Sequence, residues 1–355
     1  MNILITGSSG FIGSALAKRF SGDLVIGLDR VLYPSDPVCT RRYCVDIANR
    51  EALFGVLRDV KSRFGQRLDC VFHLAAHYDF SNKKDPRYKE VNEDGTRNLL
   101  EALTDFEVGA FIFTSSTAVM KGLEITNPGT DSDERLSESS PLGSPLEYGE
   151  SKRRAEEVVV GFKERLKVFI VRLSGVYAPE CRLIPLAHQI ASIYKRDVGS
   201  RFLPGGGRGC ISYIHIDDAL DGLERMGTLR DEIPSGTIYI LSEEDYLSYT
   251  ELYRLIHQGL YGNGDDFRPF SLPNWLLMGG VHTVNYFHRI RGGRGYFFKP
   301  WMARHALLRF CFNTGKAKRE LDWNTNHVLR NYVQIILEEL RASPGEWFKS
   351  NNIIS

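Results

Sequence analysis

At 355 residues the chain is about twice the usual domain size of roughly 100–200 residues, which favours two lobes, or one large α/β unit with an appended substrate lobe. Hydrophobic residues at 43% and charged residues at 25% exclude general disorder and a collagen-like composition. Lys and Arg total 45 against 44 Asp and Glu, a formal charge of +1, so no bulk field draws the chain to nucleic acid or an anionic membrane, and a small-molecule substrate fits better. The cysteines Cys39, Cys44, Cys70, Cys181, Cys210 and Cys311 are scattered without C-x-x-C pairs, which argues against a metal site and a disulfide framework, and for a reducing compartment. No basic segment followed by an apolar one precedes the strand-like run at Asn2, so the expectation is a cytoplasmic chain without a cleaved signal. Apolar stretches such as Trp275 to Val281 fall short of the roughly 20 residues that span a bilayer, which leaves peripheral contact as the membrane mode still open.

In chain order, strand-like runs lie at Ile3–Thr6, Leu24–Asp29, Arg42–Ile47, Cys70–Ala75, Ala110–Ser115 and Val168–Leu173. Helical periodicity fills Phe11–Phe20, Arg50–Phe64, Arg87–Thr104 and Tyr148–Arg165 between them. This alternation predicts a doubly wound, Rossmann-type α/β fold with a parallel sheet buried on both faces. Between Lys121 and Pro145 the Pro, Gly, Ser, Asp and Glu content predicts a long surface loop. After about Gly175 the pattern loosens. The expected division is a nucleotide-binding domain over 1–175, to which about 211–242 returns, and a smaller substrate-binding lobe over 176–355. The aromatic-rich tract from Pro273 to Phe312 could line a pocket for a lipophilic substrate or pack an ordinary core. Arg289, Arg291 and Arg294 within it could meet a phosphate, or form a solvated loop.

Thr6-Gly7-Ser8-Ser9-Gly10-Phe11-Ile12-Gly13 places three glycines between a strand and a helix, where the backbone can approach a pyrophosphate and the helix start favours negative charge. A tight turn with no ligand is the competing reading. Asp29 ends the next strand, where a carboxylate accepts the ribose hydroxyls of NAD and repels the extra phosphate of NADP. Arg30 beside it could pair with that phosphate, so NADP stays open behind NAD.

With its T-G-x-x-G-x-x-G spacing the chain resembles the extended short-chain dehydrogenase/reductase family, the NAD-dependent epimerases and dehydratases. Val45-Asp46-Ile47, His73-Leu74-Ala75-Ala76, the segment Val91 to Ala102 and Tyr213 to Ala219 carry the resemblance further, over most of 1–242. It implies cofactor contacts at Gly7, Ser9, Gly10, Phe11, Ile12 and Gly13 in the turn, at Asp29 and Arg30, at Asp46 and Ile47, and at Leu74, Ala75 and Ala76. Further contacts are implied at Ser115, Tyr148, Lys152, Ser174 and Val176. It also implies a homodimer paired through helices flanking the active site.

Tyr148 and Lys152 stand four residues apart, so a helix presents both on one face. A phenol titrates near ~10 and is a poor base at neutrality. A nearby ammonium and a cationic nicotinamide ring would each favour the phenolate. The pair on an ordinary solvated face is the bland alternative. By resemblance, Lys152 also holds the nicotinamide ribose and Tyr148 moves the proton as hydride passes. The same pattern makes Ser116 the catalytic hydroxyl, with Thr117 second and Ser115 turned to the cofactor. Substrate contacts are expected at His77, Thr117, Tyr177 and Arg208, with a structural role as the alternative for His77 and the preferred reading for His215.

The fold and triad serve dehydrogenation, epimerisation and dehydration alike, so departures from the family pattern must choose. Family dehydratases carry a carboxylate just after the catalytic hydroxyl, where this chain has Thr117-Ala118-Val119. Nucleotide-sugar enzymes of the family clamp a diphosphate with an asparagine and an arginine, where this chain has Ser174 and Ile211; Arg208 could substitute. The resulting expectation is an NAD(P)-dependent oxidoreductase that interconverts a secondary alcohol and a ketone, closest to the 3β-hydroxysteroid-dehydrogenase-like and dihydroflavonol-reductase-like branch. A nucleotide-sugar 4-epimerase with tightly held NAD is the first alternative, and a non-catalytic NAD(P) sensor the second.

Overall fold

The apolar runs assemble as a parallel sheet in a computed structural model that describes residues 1–33, 39–79, 82–125, 133–263, 270–271 and 300–353. Strands β1 (Asn2–Thr6), β2 (Leu24–Asp29), β3 (Arg41–Cys44), β4 (Arg67–His73), β5 (Glu107–Ser116), β7 (Val168–Leu173) and β12 (Thr237–Leu241) form seven parallel strands in the order β3-β2-β1-β4-β5-β7-β12. The order reverses between β1 and β4, so a crevice opens at their carboxyl ends, where open α/β sheets bind ligands.

Both faces of the sheet are covered, which is why its strands read as continuous apolar runs. Helices α1 (Phe11–Arg19) and α6 (Ile216–Thr228) lie on one side, burying Ile3, Leu16, Phe72, Leu223 and Trp323 together. On the other side α2 (Arg50–Phe64), α3 (Thr96–Leu103) and α4 (Glu147–Val160) bury Leu4, Leu53, Leu99, Phe111 and Val159. Apolar area removed from water stabilises such packing by about 25 cal/mol per Å².

Several boundaries differ from the sequence expectation, β4 and β5 starting earlier than Cys70 and Ala110, and three of the differences bear on the site. β3 stops at Cys44, so Asp46 and Ile47 sit in the turn before α2, which Asn49 caps by accepting the Ala52 N–H at 3.1 Å. The helix expected over 87–104 starts as a wider π-helix, Tyr88–Gly95, before α3. α4 begins at Glu147 and ends at Val160, with Gly161 as its cap, instead of reaching Arg165.

The remaining strands are short. β6 (Leu123–Glu124), β10 (Cys210–Ile211), β13 (Leu247–Ser248) and β15 (Leu308–Phe310) make a four-stranded sheet in the order β13-β10-β15-β6. β8 (Gly175–Tyr177) pairs with β11 (Tyr213–His215), and β9 (Phe202–Leu203) with β14 (Phe270–Ser271). α5 (Ile184–Tyr194), α7 (Tyr249–Tyr261), α10 (Leu329–Ala342) and α11 (Pro344–Ser350) enclose a further core around Leu186, Tyr253, Ile336 and Trp347; the short helices α8 (Pro300–His305) and α9 (Gly315–Leu321) lie between α7 and α10 in the chain. The expected loop over 121–145 is pinned in its described parts: Leu136 bridges Phe312 and Met120 bridges Leu142. Most of the aromatic tract, including Trp275 and the arginines at 289, 291 and 294, lies outside the described residues. Among the described residues no helix is long and apolar enough to cross a membrane.

Candidate active site

The glycine turn leaves β1 at the reversal point. Gly7 has φ +73°, and a Cβ there would come within 2.8 Å of the Ala75 nitrogen, so only glycine lets this turn lie against the end of β4. At Gly13 a Cβ would stand 2.1 Å from the Gly7 carbonyl oxygen, closer than any atom can sit. Gly10 caps α1 without a side chain, and no acidic residue occupies the first turn, so the helix start keeps its positive field. Phe11 and Ile12 begin that helix half-buried. Asp29 accepts the Ser9 N–H at 2.9 Å and the Val31 N–H at 3.2 Å, which ties the glycine turn to the end of β2. Arg30 beside it is exposed. Asp46 accepts the Ala48 N–H at 2.9 Å, and Ile47 packs with Leu53 in the core beneath. Leu74 and Ala75 line the opposite wall, half-buried, and Ala76 is exposed. A bare backbone cradle, a helix start and an acid at the ribose position fit NAD.

The candidate reacting residues lie on segments that pack backbone to backbone. Gly149 is buried; a Cβ there would meet the Ala118 carbonyl oxygen at 2.3 Å, so the first turn of α4 lies directly on the segment after Ser116. That places Tyr148 beside the end of β5. Its ring meets Tyr78 edge-on at 4.8 Å between centroids. Lys152, 2% exposed, donates to the Thr114 carbonyl at 2.8 Å and lies 4.7 Å from the centre of the Phe113 ring. Burial pushes its ammonium down to about 7, with the Glu156 carboxylate one turn on acting in the opposite direction. Burial pushes the Tyr148 phenol above its ordinary value, and Tyr88 adds to this. The expected acidification by Lys152 is therefore not realised in the protein alone, where the cost of removing a phenolate from water sets the direction.

Ser116 is half-buried and accepts the Ala118 N–H at 3.1 Å, while Thr117 is buried. Ser115 turns elsewhere. Its hydroxyl donates to Glu156 at 2.5 Å, and Glu156 pairs with Arg172 at 2.8 Å, an ion pair under the site with side chains only 6% and 3% exposed. Ser174 donates its N–H to Leu241 at 3.1 Å, and Val176 pairs with Ile214. Tyr177 is fully buried in the C-terminal core, packed on His215 and Tyr332, so its expected substrate contact gives way to a structural place. Arg208 is exposed after the Pro204–Gly207 turn. His77 is half-buried, 3.4 Å from Asp85 and with its ring tilted against that of Tyr88, and burial with Arg87 lowers its pKa.

Two structural networks escaped the sequence reading. Asn92 accepts the His77 N–H at 2.7 Å and donates to the His77 carbonyl at 3.0 Å and to Ser151 at 2.8 Å, so one amide joins the loop after β4 to α4. His73 bridges the Thr6 and Thr96 hydroxyls at 2.6 and 2.9 Å; burial pushes it down to about 3, so it stays neutral. The signals in the sequence were the motifs at Thr6–Gly13, His73–Ala76 and Val91–Ala102, which name these residues without their partners. His215 is 2% exposed and accepts the Asp217 N–H at 3.3 Å, the structural role expected of it. His215, Asp217 and His327 form a group that could face a metal ion, but His327 is already bonded to buried Asp218 at 3.1 Å.

The chain's residues 3–242 match the model of the NAD dependent epimerase/dehydratase family. It is similar to mouse short-chain dehydrogenase/reductase family 42E member 1, 29% identical over 98% of this chain and 87% of that one. A dTDP-D-glucose 4,6-dehydratase of Dictyostelium discoideum is 29% identical over 68% of this chain and 60% of its own. Human sterol-4-alpha-carboxylate 3-dehydrogenase, decarboxylating, is 24% identical over 77% and 69%. The solved structure of MoeE5 in complex with UDP-glucose and NAD superposes with a TM-score of 0.69 at 22% identity, over 97% of this chain and all of that one, a likeness of fold. With the glycine cradle, Asp29, the half-buried tyrosine and the buried lysine on the crevice, the chain belongs to the NAD-dependent epimerase/dehydratase family and is an enzyme of the extended short-chain dehydrogenase/reductase type.

Proposed function

We propose that the protein is a net NAD(P)-dependent oxidoreductase that interconverts a secondary alcohol and a ketone on a small, lipophilic substrate. The observation that carries this reading is Ile211, the residue at the position where the family's nucleotide-sugar enzymes carry an arginine. It packs between two apolar clusters, against Tyr213 and Leu247 on one side and Phe310 on the other. An aliphatic side chain there cannot make the charge-assisted bonds a diphosphate requires, and it favours apolar substrate surface. Thr117-Ala118-Val119, which offers no carboxylate just after the candidate hydroxyl Ser116, supports the same choice. So does the similarity to a sterol dehydrogenase.

In this reading Ser116 and Tyr148 hold the reacting oxygen and Tyr148 carries its proton. Lys152 orients the nicotinamide ribose and sets the local charge. NAD, when bound, supplies the ring that exchanges hydride. Residues 1–175 with 211–242 hold the coenzyme, and the remainder of 176–355 the substrate. Thr117, His77 and Arg208 border the substrate side. Asp29 favours NAD, with NADP tolerated through Arg30. A homodimer through the helices flanking the site and a cytoplasmic location belong to the same reading, the first checked by light scattering on the eluting protein.

The similarity to a dTDP-sugar dehydratase favours the alternative, a nucleotide-sugar epimerase or dehydratase. One assay separates them. Reduced nicotinamide should accumulate when the protein meets NAD and 3β-hydroxysteroid-type alcohols, and UDP- or dTDP-sugars should remain unchanged. Sugar-nucleotide conversion without net change in nicotinamide absorbance would remove the dehydrogenase reading.

A further inference from the structure

We propose that Cys210 and Cys311 are a reversible thiol/disulfide pair, a redox clamp across the two central strands of the small sheet. Their sulfur atoms stand 2.6 Å apart although the residues are 101 positions apart in the chain. Cys210 opens β10 and Cys311 directly follows β15. The two strands are fixed side by side: Cys210 is opposite Arg309, Ile211 is opposite Phe310, and the Ser212 N–H donates to the Phe310 carbonyl at 3.0 Å. Cys311 stands two residues beyond Arg309, on the same side of the strand pair as Cys210, and there the two sulfurs meet.

Chemistry distinguishes this pair from the other cysteines. Cys70 and Cys181 are buried, and burial pushes both thiols up to about 12, which leaves them inert. At Cys210, a hydrogen bond from the Cys311 thiol and the Arg309 guanidinium hold the thiol below its ordinary value, while Cys311 is raised by the same bond and by burial. A thiol eased toward its anion beside a cation, next to a partner held in its protonated form, is the arrangement of an attacking and a resolving cysteine. Both sulfurs are shut off from bulky reagents, Cys210 being 2% and Cys311 0% exposed, so the oxidant must be small, of the hydrogen peroxide class.

The Cys210 thiolate attacks one peroxide oxygen. The O–O bond breaks, hydroxide leaves, and a sulfenic acid remains. Cys311 then attacks that sulfur, the S–S bond forms as the S–O bond breaks, and the departing hydroxide takes the Cys311 proton as water. Overall two thiols lose two electrons and two protons, and peroxide becomes two waters. A dithiol reductant, itself oxidised to its disulfide, reverses the change. The bond would close the chain around 211–310, which contains α6, β12 and α7, and would join the strands that carry β6 just after the Ser116 segment.

The test is a peroxide pulse on fully reduced protein, followed by denaturation, thiol alkylation and peptide mass spectrometry without reductant. The expected result is a cross-linked Cys210–Cys311 peptide lighter by two hydrogens, reversed by dithiothreitol, with a higher thermal midpoint in the oxidised sample. Cys210→Ser and Cys311→Ser should each abolish the cross-link, and Cys44→Ser should leave it. If a buried serine prevents folding, the peptide map of the parent protein decides alone. The proposal is overturned if both cysteines stay alkylatable, if either passes to sulfinic acid or bonds another cysteine instead, or if the cross-link leaves the midpoint unchanged or lowered.

Discussion

Tyr148 sits in a site that burial makes hostile to its anion, and Lys152 beside it is pushed down to about 7. Replacing Tyr148 with Phe should keep NAD binding, measured by calorimetry, and lower turnover by about 10²–10⁴-fold, the usual worth of a positioned acid–base group. Undiminished turnover would mean that the phenol carries no proton. Beneath this pair, Glu156 joins Ser115, Arg172 and the face of α4 that holds Lys152. Glu156→Gln leaves a buried guanidinium without its counter-charge and should cost about 3 kcal/mol in urea denaturation. Adding Arg172→Met should restore most of that loss, because it removes the stranded guanidinium charge. None of this network was legible in the residues alone. A glutamate at 156 on a helix that reads as amphipathic is indistinguishable from a solvated one until β7 brings Arg172 underneath it.

The turn from β1 into α1 shows how one short element divides its glycines between folding and binding. Gly13 and Gly7 meet backbone at distances no side chain can occupy, whereas a Cβ at Gly10 would meet only the Gly7 carbonyl oxygen, at 3.2 Å. Gly10→Ala should therefore fold with a thermal midpoint near that of the parent while weakening NAD at least tenfold, because the methyl group stands where the pyrophosphate approaches. Gly13→Ala should fail at both. Calorimetric titration with NAD and a melting curve on each variant separate the two roles, and equal loss of fold in both would show that Gly10 is structural. The three-glycine pattern was visible in the sequence; which glycine serves which purpose was not, since that depends on how near Ala75 and the helix come.

Across the molecule as a whole, a buried acid couples stability to pH. Glu243, 2% exposed, accepts the Leu329 N–H at 2.8 Å at the start of α10, and burial pushes its carboxyl up to about 8. The folded chain thus holds a proton that the unfolded chain releases between the ordinary carboxyl value and about pH 8. Its contribution is complete below the unfolded value and is lost as pH rises toward 8, on the order of 4 kcal/mol. Lys152 acts in the other direction above about pH 7: the unfolded chain keeps the proton that the folded one has released, so stability gains as pH climbs toward the ordinary lysine value. Comparing parent with Glu243→Gln isolates the acid. The difference in unfolding free energy between them, from denaturant melts at pH 5 and pH 8, should change by several kcal/mol, and a pH-independent difference would show that Glu243 is ionised in the fold.

Periodicity of apolar residues, the spacing of three glycines and the i, i+4 tyrosine and lysine are local patterns, so the parallel sheet, its coenzyme turn and its candidate catalytic helix could all be read from the chain before any coordinates. Contacts between distant segments are different in kind. That Tyr177 belongs to a core, that Ser115 faces an ion pair, that Asn92 joins a loop to α4 and that Cys210 meets Cys311 follow from which strands and helices come to lie side by side. Burial and hydrogen-bond partnership are properties of that arrangement, and residues far apart in the chain acquire them only when the whole molecule has folded.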